Sequence, residues 1–240
     1  GAAALDPAQA DAHCAFCAKR LLETPPEKAR LVRRSAGFET VRDLKADELY
    51  STEWVFRRIP NLFEIVSYDY WAKNYGYRMP AQLQARRDAY VASEAGRRHV
   101  RDRIEFRLKL SGLEPAAIAA MADAEKIALA DAFFAGGHEL IIARRHFEAG
   151  AQHDKQLVSS GTLTPEEHYQ YFRFTIEALR DIYLANRYVR FAAVFQNWLP
   201  PAGASFDHLH KQLVAIDDRG AYNELEIQLA RANPNIYNEA

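Results

Sequence analysis

His208, His210 and Gln212, spaced at two-residue intervals, are the side chains of this 240-residue chain best suited to chemistry. The segment His208–Ile216 (H-L-H-K-Q-L-V-A-I) alternates, so as a strand it points these three to one face and Leu209, Lys211 and Leu213 to the other. Two imidazoles and an amide on one face need polar partners when buried, and a bound phosphate provides them. One imidazole can serve as nucleophile while the Gln212 amide and the Ser205 hydroxyl donate to phosphate oxygens. Ser205 stands in the turn Gly203-Ala204-Ser205 just before the strand. The competing reading is two surface histidines on an edge strand. The preceding turn and the apolar runs on both sides favour the site. A second candidate lies near the N-terminus, where Cys14 and Cys17 can grip one metal ion from a tight loop. A redox pair, or two unpaired buried thiols, are the other readings of that spacing.

The elements that must position these residues read as α+β, with antiparallel strands and intervening helices. Trp54–Ile59 and Leu62–Ser67 have strand character and flank Asn61 at a turn. From Pro80 to about Phe134 the spacing turns helical, in the segments Gln82–Ala95, Gly96–Leu110 and Pro115–Phe134. This reads as a helical insertion at about 80–134 within one domain spanning 1–240. His138–Ala143 is a strand. Thr164-Pro165-Glu166-Glu167 has the cap, first-turn proline and acids of a helix start, and that helix runs to about Asn186. Tyr188–Trp198 reads as a strand, Leu199–Phe206 as a loop, and Asp218 onward as a helix ending at Asn233-Pro234. The aromatic run Tyr68-Asp69-Tyr70-Trp71, with Tyr75 and Tyr77, reads as core or interface packing ahead of a ligand wall. Arg144-Arg145 reads as a solvated basic pair ahead of a phosphate contact.

Taken together, Asn197, Gly203, Ser205, His208, His210 and Gln212 resemble, in order, the active-site motif of the galactose-1-phosphate uridylyltransferase branch of the histidine-triad superfamily. Gly203–Gln212 is equally similar to the Gly-Ala-Ser-x-x-His-x-His-x-Gln run of dinucleoside-polyphosphate phosphorylases. Cys14-Ala15-Phe16-Cys17, Arg58–Phe63 and Gly137–Ile142 with His146 resemble further segments of the uridylyltransferases. Leu209 stands where that group usually has proline, and Leu62 where it usually has an acid. The resemblance implies a histidine-triad-like antiparallel sheet and His210 as nucleophile toward an α-phosphate, with Gln212 and Ser205 as donors. It also implies nucleotide contacts at Asn61, Asn197 and Gly203, where a plain turn cap is the rival role for Asn61. A structural zinc ion on Cys14, Cys17, His146 and His208 follows from the same pattern, with His138, His153 and His13 as rival ligands by proximity.

The implied activity is nucleotidyl transfer through a nucleotidyl-histidine, with a nucleotide or nucleotide sugar as partner. Cleavage of a dinucleoside polyphosphate or nucleotide conjugate, and a non-catalytic zinc-stabilised binding module, are the alternatives. Relatives in the resembled group are often dimers, so a homodimer is implied as well. The net charge of −1 gives no reason to expect nucleic acid or an anionic membrane as partner. No apolar run approaches the roughly 20 residues of a bilayer span. Gly1–Asp11 does not read as a signal peptide, and two cysteines in all point to a reducing, cytoplasmic setting.

Overall fold

The computed structural model describes residues 2–233 and 235. Its strands are β1 (Ala29–Arg34), β2 (Gly37–Arg42), β3 (Phe56–Pro60), β4 (His138–Ala143), β5 (Phe191–Phe195) and β6 (His210–Ile216). They form one antiparallel sheet in the order β2-β1-β3-β4-β6-β5. The helices are α1 (Tyr68–Tyr75), α2 (Ala81–Val91), α3 (Glu94–Leu110), α4 (Pro115–Ala120), α5 (Asp123–Ala128), α6 (Asp131–Ala135), α7 (Pro165–Ala185) and α8 (Gly220–Ala232). The class is α+β, as the strand and helix periodicities predict.

Helix α7 covers one face of the sheet. Its cap is the one expected, with Thr164 accepting from the Glu167 amide and Glu167 accepting in return from the Thr164 amide. Tyr171, Phe174, Ala178 and Ile182 recur at helical spacing and pack with Leu31, Phe56, Ile141 and Leu213 of the sheet and with Trp71 of α1. Each large apolar side chain buried in this layer contributes about 1.5–3 kcal/mol. Trp71 and Tyr77 of the aromatic run belong to this core, while the Tyr70 and Tyr75 hydroxyls both donate to Asp217.

The opposite face is narrower in its apolar cover: Ile59, Leu140 and Ile142 pack under Phe16 of the N-terminal segment. The pairing Leu140↔Gln212 and Ile142↔His210 puts Gln212 and His210 on that same face. Helices α2–α6 follow α1 between β3 and β4, where the spacing from Pro80 to about Phe134 predicts helix. Helices α2, α3, α5 and α6 share a cluster around Tyr90, Val100, Ile104 and Phe133 that takes in Ala46, Leu22 and Leu62 from outside the segment.

Four expectations need correction. Leu62–Ser67 is a loop, because His138 draws the chain off the sheet: its carbonyl accepts from the Asn61 amide and its Nδ1 from the Ile65 amide. The strand expected over Tyr188–Trp198 spans only Phe191–Phe195, since β6 offers partners only from Gln212 to Ile216. The strand expected from His208 begins its ladder at His210. The helical segment Pro115–Phe134 is three short helices, broken at the extended Met121 and again before α6. The hairpin β1–β2 is an addition. Its first strand carries arginines, and the buried Arg30 is satisfied by Glu27, which pairs with it through both carboxylate oxygens at 2.6 and 3.0 Å, and by the Leu49 and Thr52 carbonyls. The last helix ends at Ala232 with Asn233 as its cap, and Pro234 lies outside the described residues.

Candidate functional site

A tight turn brings the two cysteines together, the Cys17 amide donating to the Cys14 carbonyl at 3.0 Å. Their sulfurs lie 3.7 Å apart. His146, three residues past β4, and His208, two residues before β6, bring their Nδ1 atoms to the same point. Cys14 Sγ is 3.6 Å from His146 Nδ1 and 3.5 Å from His208 Nδ1. Cys17 Sγ is 3.3 and 3.7 Å from the same two atoms. All four atoms lie within 4.8 Å of one another, a group that could hold a metal ion. The rivals His13, His138 and His153 are outside it. His13 instead presents its ring edge-on to His146, with centroids 5.0 Å apart.

Protons around this group are set by its neighbours. The Nε2–H of His208 donates to the Ala143 carbonyl at 2.6 Å, leaving Nδ1 with its lone pair toward the sulfurs. Burial holds the His208 imidazole below its ordinary pKa, in the neutral form a ligand requires. The Cys17 thiol is pushed down, first of all by the hydrogen bond from Cys14.

Beside this group opens a cleft of about 500 Å³. Leu140, His210 and Gln212 form its floor, the N-terminal segment contributes Phe16 and Thr24, and α3 contributes Arg103 and Phe106. Asn61 and Phe63 close one side, and Gly203, Ser205 and Phe206 another. The volume falls in the range of small-molecule sites, and the walls are apolar with few polar groups.

His210 is buried at the cleft floor, its ring meeting Phe16 at a centroid distance of 5.3 Å. Its Nδ1–H donates to the His208 carbonyl at 2.7 Å. A carbonyl only accepts, so the proton is on Nδ1 and Nε2 carries a free lone pair. Burial lowers the pKa of this imidazole, which keeps it neutral.

Gln212 is oriented by a residue expected elsewhere. His138 accepts the Ile65 amide at Nδ1, so its Nε2–H donates to Gln212 Oε1 at 3.0 Å. The oxygen end of the amide is thereby occupied, and the NH₂ end is the one left for a ligand. Asn61 lines the cleft and caps its turn at once, Oδ1 accepting from the Phe63 amide at 3.1 Å. Gly203 holds a left-handed turn at φ +85° and Ser205 is exposed on the rim. Asn197 does not line the cleft; its amide lies behind the Gly203 turn. Arg144 pairs with Asp11 at 3.1 Å and Arg145 with Glu167 at 2.9 Å, so this pair is spent on the scaffold.

Arg103, Phe16, Phe106 and Phe206 are cleft residues that the sequence reading does not single out. A second cavity, of about 290 Å³, opens on the α7 side of the sheet. Its charged groups are held in ion pairs: Lys28 and Arg58 with Glu139, Arg58 and Arg42 with Asp181, and Arg86 with Asp43 beyond the lining. No helix among the described residues is long and apolar enough to cross a membrane.

No curated protein and no solved structure matches the chain. A family profile does match, over residues 1–240, and it is described as a domain of unknown function, DUF4921. The chain belongs to the DUF4921 family.

Proposed function

We propose that this protein is a nucleotidyl transferase with a histidine-triad-like fold, working through a covalent nucleotidyl-histidine on His210. The observation that carries the reading is the unprotonated Nε2 of a buried, neutral His210 in a cleft of ligand size, its other nitrogen fixed by the His208 carbonyl. In the reaction, the Nε2 lone pair attacks the α-phosphorus of a nucleotide conjugate. The bond from phosphorus to the bridging oxygen breaks, and the leaving group departs with that electron pair. An oxygen of an acceptor phosphate then attacks the same phosphorus, the P–N bond breaks, and its electrons return to Nε2. The Gln212 NH₂ and the Ser205 hydroxyl donate to the non-bridging oxygens as charge builds on them. Asn61 and the Gly203 turn border the space for the nucleotide, and Asn197 acts by supporting that turn.

The metal in this reading is zinc. Bonds of about 2.3 Å to sulfur and about 2.0–2.1 Å to nitrogen put tetrahedral S···S near 3.8 Å and S···N near 3.6 Å. The cysteine and histidine separations of 3.3–3.7 Å match those edges. Four protein ligands leave no open position, so the ion's role is structural: it stiffens the chain that presents His210.

The substrates proposed are a nucleoside diphosphate sugar and a sugar phosphate. Incubation with nucleotides labelled at the α-phosphate tests the chemistry, and the acceptor arm tests the substrate class. Release of the adduct by a hexose phosphate supports transfer, and release by inorganic phosphate or water alone replaces it with phosphorolysis or hydrolysis.

A further inference from the structure

We infer that Arg103 anchors a second phosphate in the cleft, so that the ligand class is a pyrophosphate-linked nucleotide. The first phosphate, the one at His210, rests on the nucleotidyl-transfer reading above; the anchor rests on charge and geometry.

Among the described residues lining the cleft, Arg103 is the only one with a permanent positive charge, and Glu23 the only carboxylate. Glu23 is already taken, because Arg20 grips both of its carboxylate oxygens at 2.7 and 2.5 Å. Arg103 forms no ion pair among the described residues. Its Nη1 donates to the Glu23 backbone carbonyl at 2.6 Å, and its buried Nε has no hydrogen-bond partner. The guanidinium carbon stands 5.2 Å from the centroid of the Phe106 ring, a cation–π contact.

A guanidinium stays charged at any physiological pH and offers five N–H donors. Half-buried without an anion, it carries a desolvation cost that a bound anion relieves. The planar fork suits phosphate, which it can bind through two parallel bonds. Of the other arginines of α3, Arg97 bonds the Val91 and Ala92 carbonyls, Arg101 pairs with Asp123 and Arg107 bonds the Leu129 carbonyl, while Arg98 is exposed and does not line the cleft. Arg103 therefore stands alone in the cleft wall, with His210 on the floor. A nucleotide with a single phosphate has one anionic group to offer these two residues, and a pyrophosphate-linked nucleotide has two.

Calorimetric titration of uridine, UMP and UDP, with the adenine series in parallel, reads this directly in metal-loaded His210→Ala protein, where no turnover occurs. We expect UDP or ADP to bind about tenfold or more tightly than its monophosphate. That increment is lost in the double variant with Arg103→Gln and partly kept with Arg103→Lys. An increment unchanged by Arg103→Gln overturns the anchor, as does the absence of any increment. If Arg103→Gln lowers the melting temperature and leaves the increment intact, the residue is only a clamp on the Glu23 carbonyl and the proposal falls. Should Arg103→Gln not fold, the comparison of Arg103→Lys with the parent decides, a full-size increment overturning the bidentate anchor. The binding readout is independent of adduct formation, so a missing adduct with an intact Arg103 increment defeats the nucleophile alone.

Discussion

The imidazole of His210 is held by the backbone carbonyl of His208, 2.7 Å from its Nδ1, while the side chain of His208 faces Cys14 and Cys17. One residue thus belongs, through its ring, to the group that could hold a metal ion and, through its main chain, to the cleft. Any change that frees His208 loosens the hydrogen bond that fixes the tautomer of His210.

Metal content is the first consequence. The purified protein should contain one zinc ion per chain by atomic absorption, and Cys17→Ser or His146→Ala should lose it. If removal costs about 5 kcal/mol, the melting temperature falls by roughly 10–20 °C for a chain of this size. His210→Ala should keep both the ion and the melting temperature. A chelator-treated protein that melts unchanged would count against a structural metal.

Gln212 is oriented by the Nε2–H of His138, which donates to its oxygen and leaves the NH₂ to the ligand. Gln212→Glu keeps the bond to His138 and replaces the donor with a carboxylate oxygen facing the phosphate. Single-turnover adduct formation should slow by about 10²–10³-fold, with little change in melting temperature. An unchanged rate would remove Gln212 from the chemistry.

The pH profile of the same step should be flat through neutrality, because attack needs neutral His210 and burial pushes its pKa below the ordinary 6.5. The rate falls as pH drops through that lowered value, so the acid limb lies below pH 6.5. A limb centred above 6.5 would mean that the imidazole is stabilised as a cation.

His99 makes a stability prediction on the far side of the cleft wall. It accepts from the Tyr90 hydroxyl at 2.6 Å and donates to the Thr24 carbonyl at 2.8 Å, and burial pushes its pKa from 6.5 down to about 4. The unfolded chain takes up this proton before the folded one. The stability that neutral His99 contributes is therefore present above pH 6.5 and lost as pH falls toward 4, about 3 kcal/mol in all. Glu64 titrates in the opposite sense, since burial raises its carboxyl to about 7 and its contribution is lost as pH rises. The wild-type curve hides both terms, so the test is the difference between wild type and His99→Gln. That gap should be widest above pH 6.5 and should narrow toward pH 4; a constant gap contradicts the assignment.

Much of the site is legible in the sequence because its chemistry is written in short, rigid motifs. Alternation alone puts His210 and Gln212 on one face, and the strand His138–Ala143 and the Thr164 cap are found where their residues predict. The cysteine pair carries its own spacing, but its histidine partners lie up to 194 positions away, and only the resemblance identifies them in advance. What is not legible depends on contacts between distant segments. Leu-Phe-Glu-Ile-Val-Ser at 62–67 has the composition of a strand, yet the ring of His138 captures its Ile65 amide and makes it a loop. Arg103 sits among Arg97, Arg98, Arg101 and Arg107 on one helix, and nothing in their spacing says which of them meets the Glu23 carbonyl at the cleft. Strand β1 is masked in the same way, its buried Arg30 reading as surface until Glu27 is seen to pair with it.

The central claim concerns one bond, between phosphorus and His210 Nε2. The most direct measurement is trapping of metal-loaded protein with nucleotide sugars and dinucleoside polyphosphates labelled at the α-phosphate, followed by denaturation and peptide mapping. The account predicts an acid-labile, base-stable adduct on His210 that is absent from His210→Ala. No adduct with any of these nucleotides, or one that persists in His210→Ala, would contradict it.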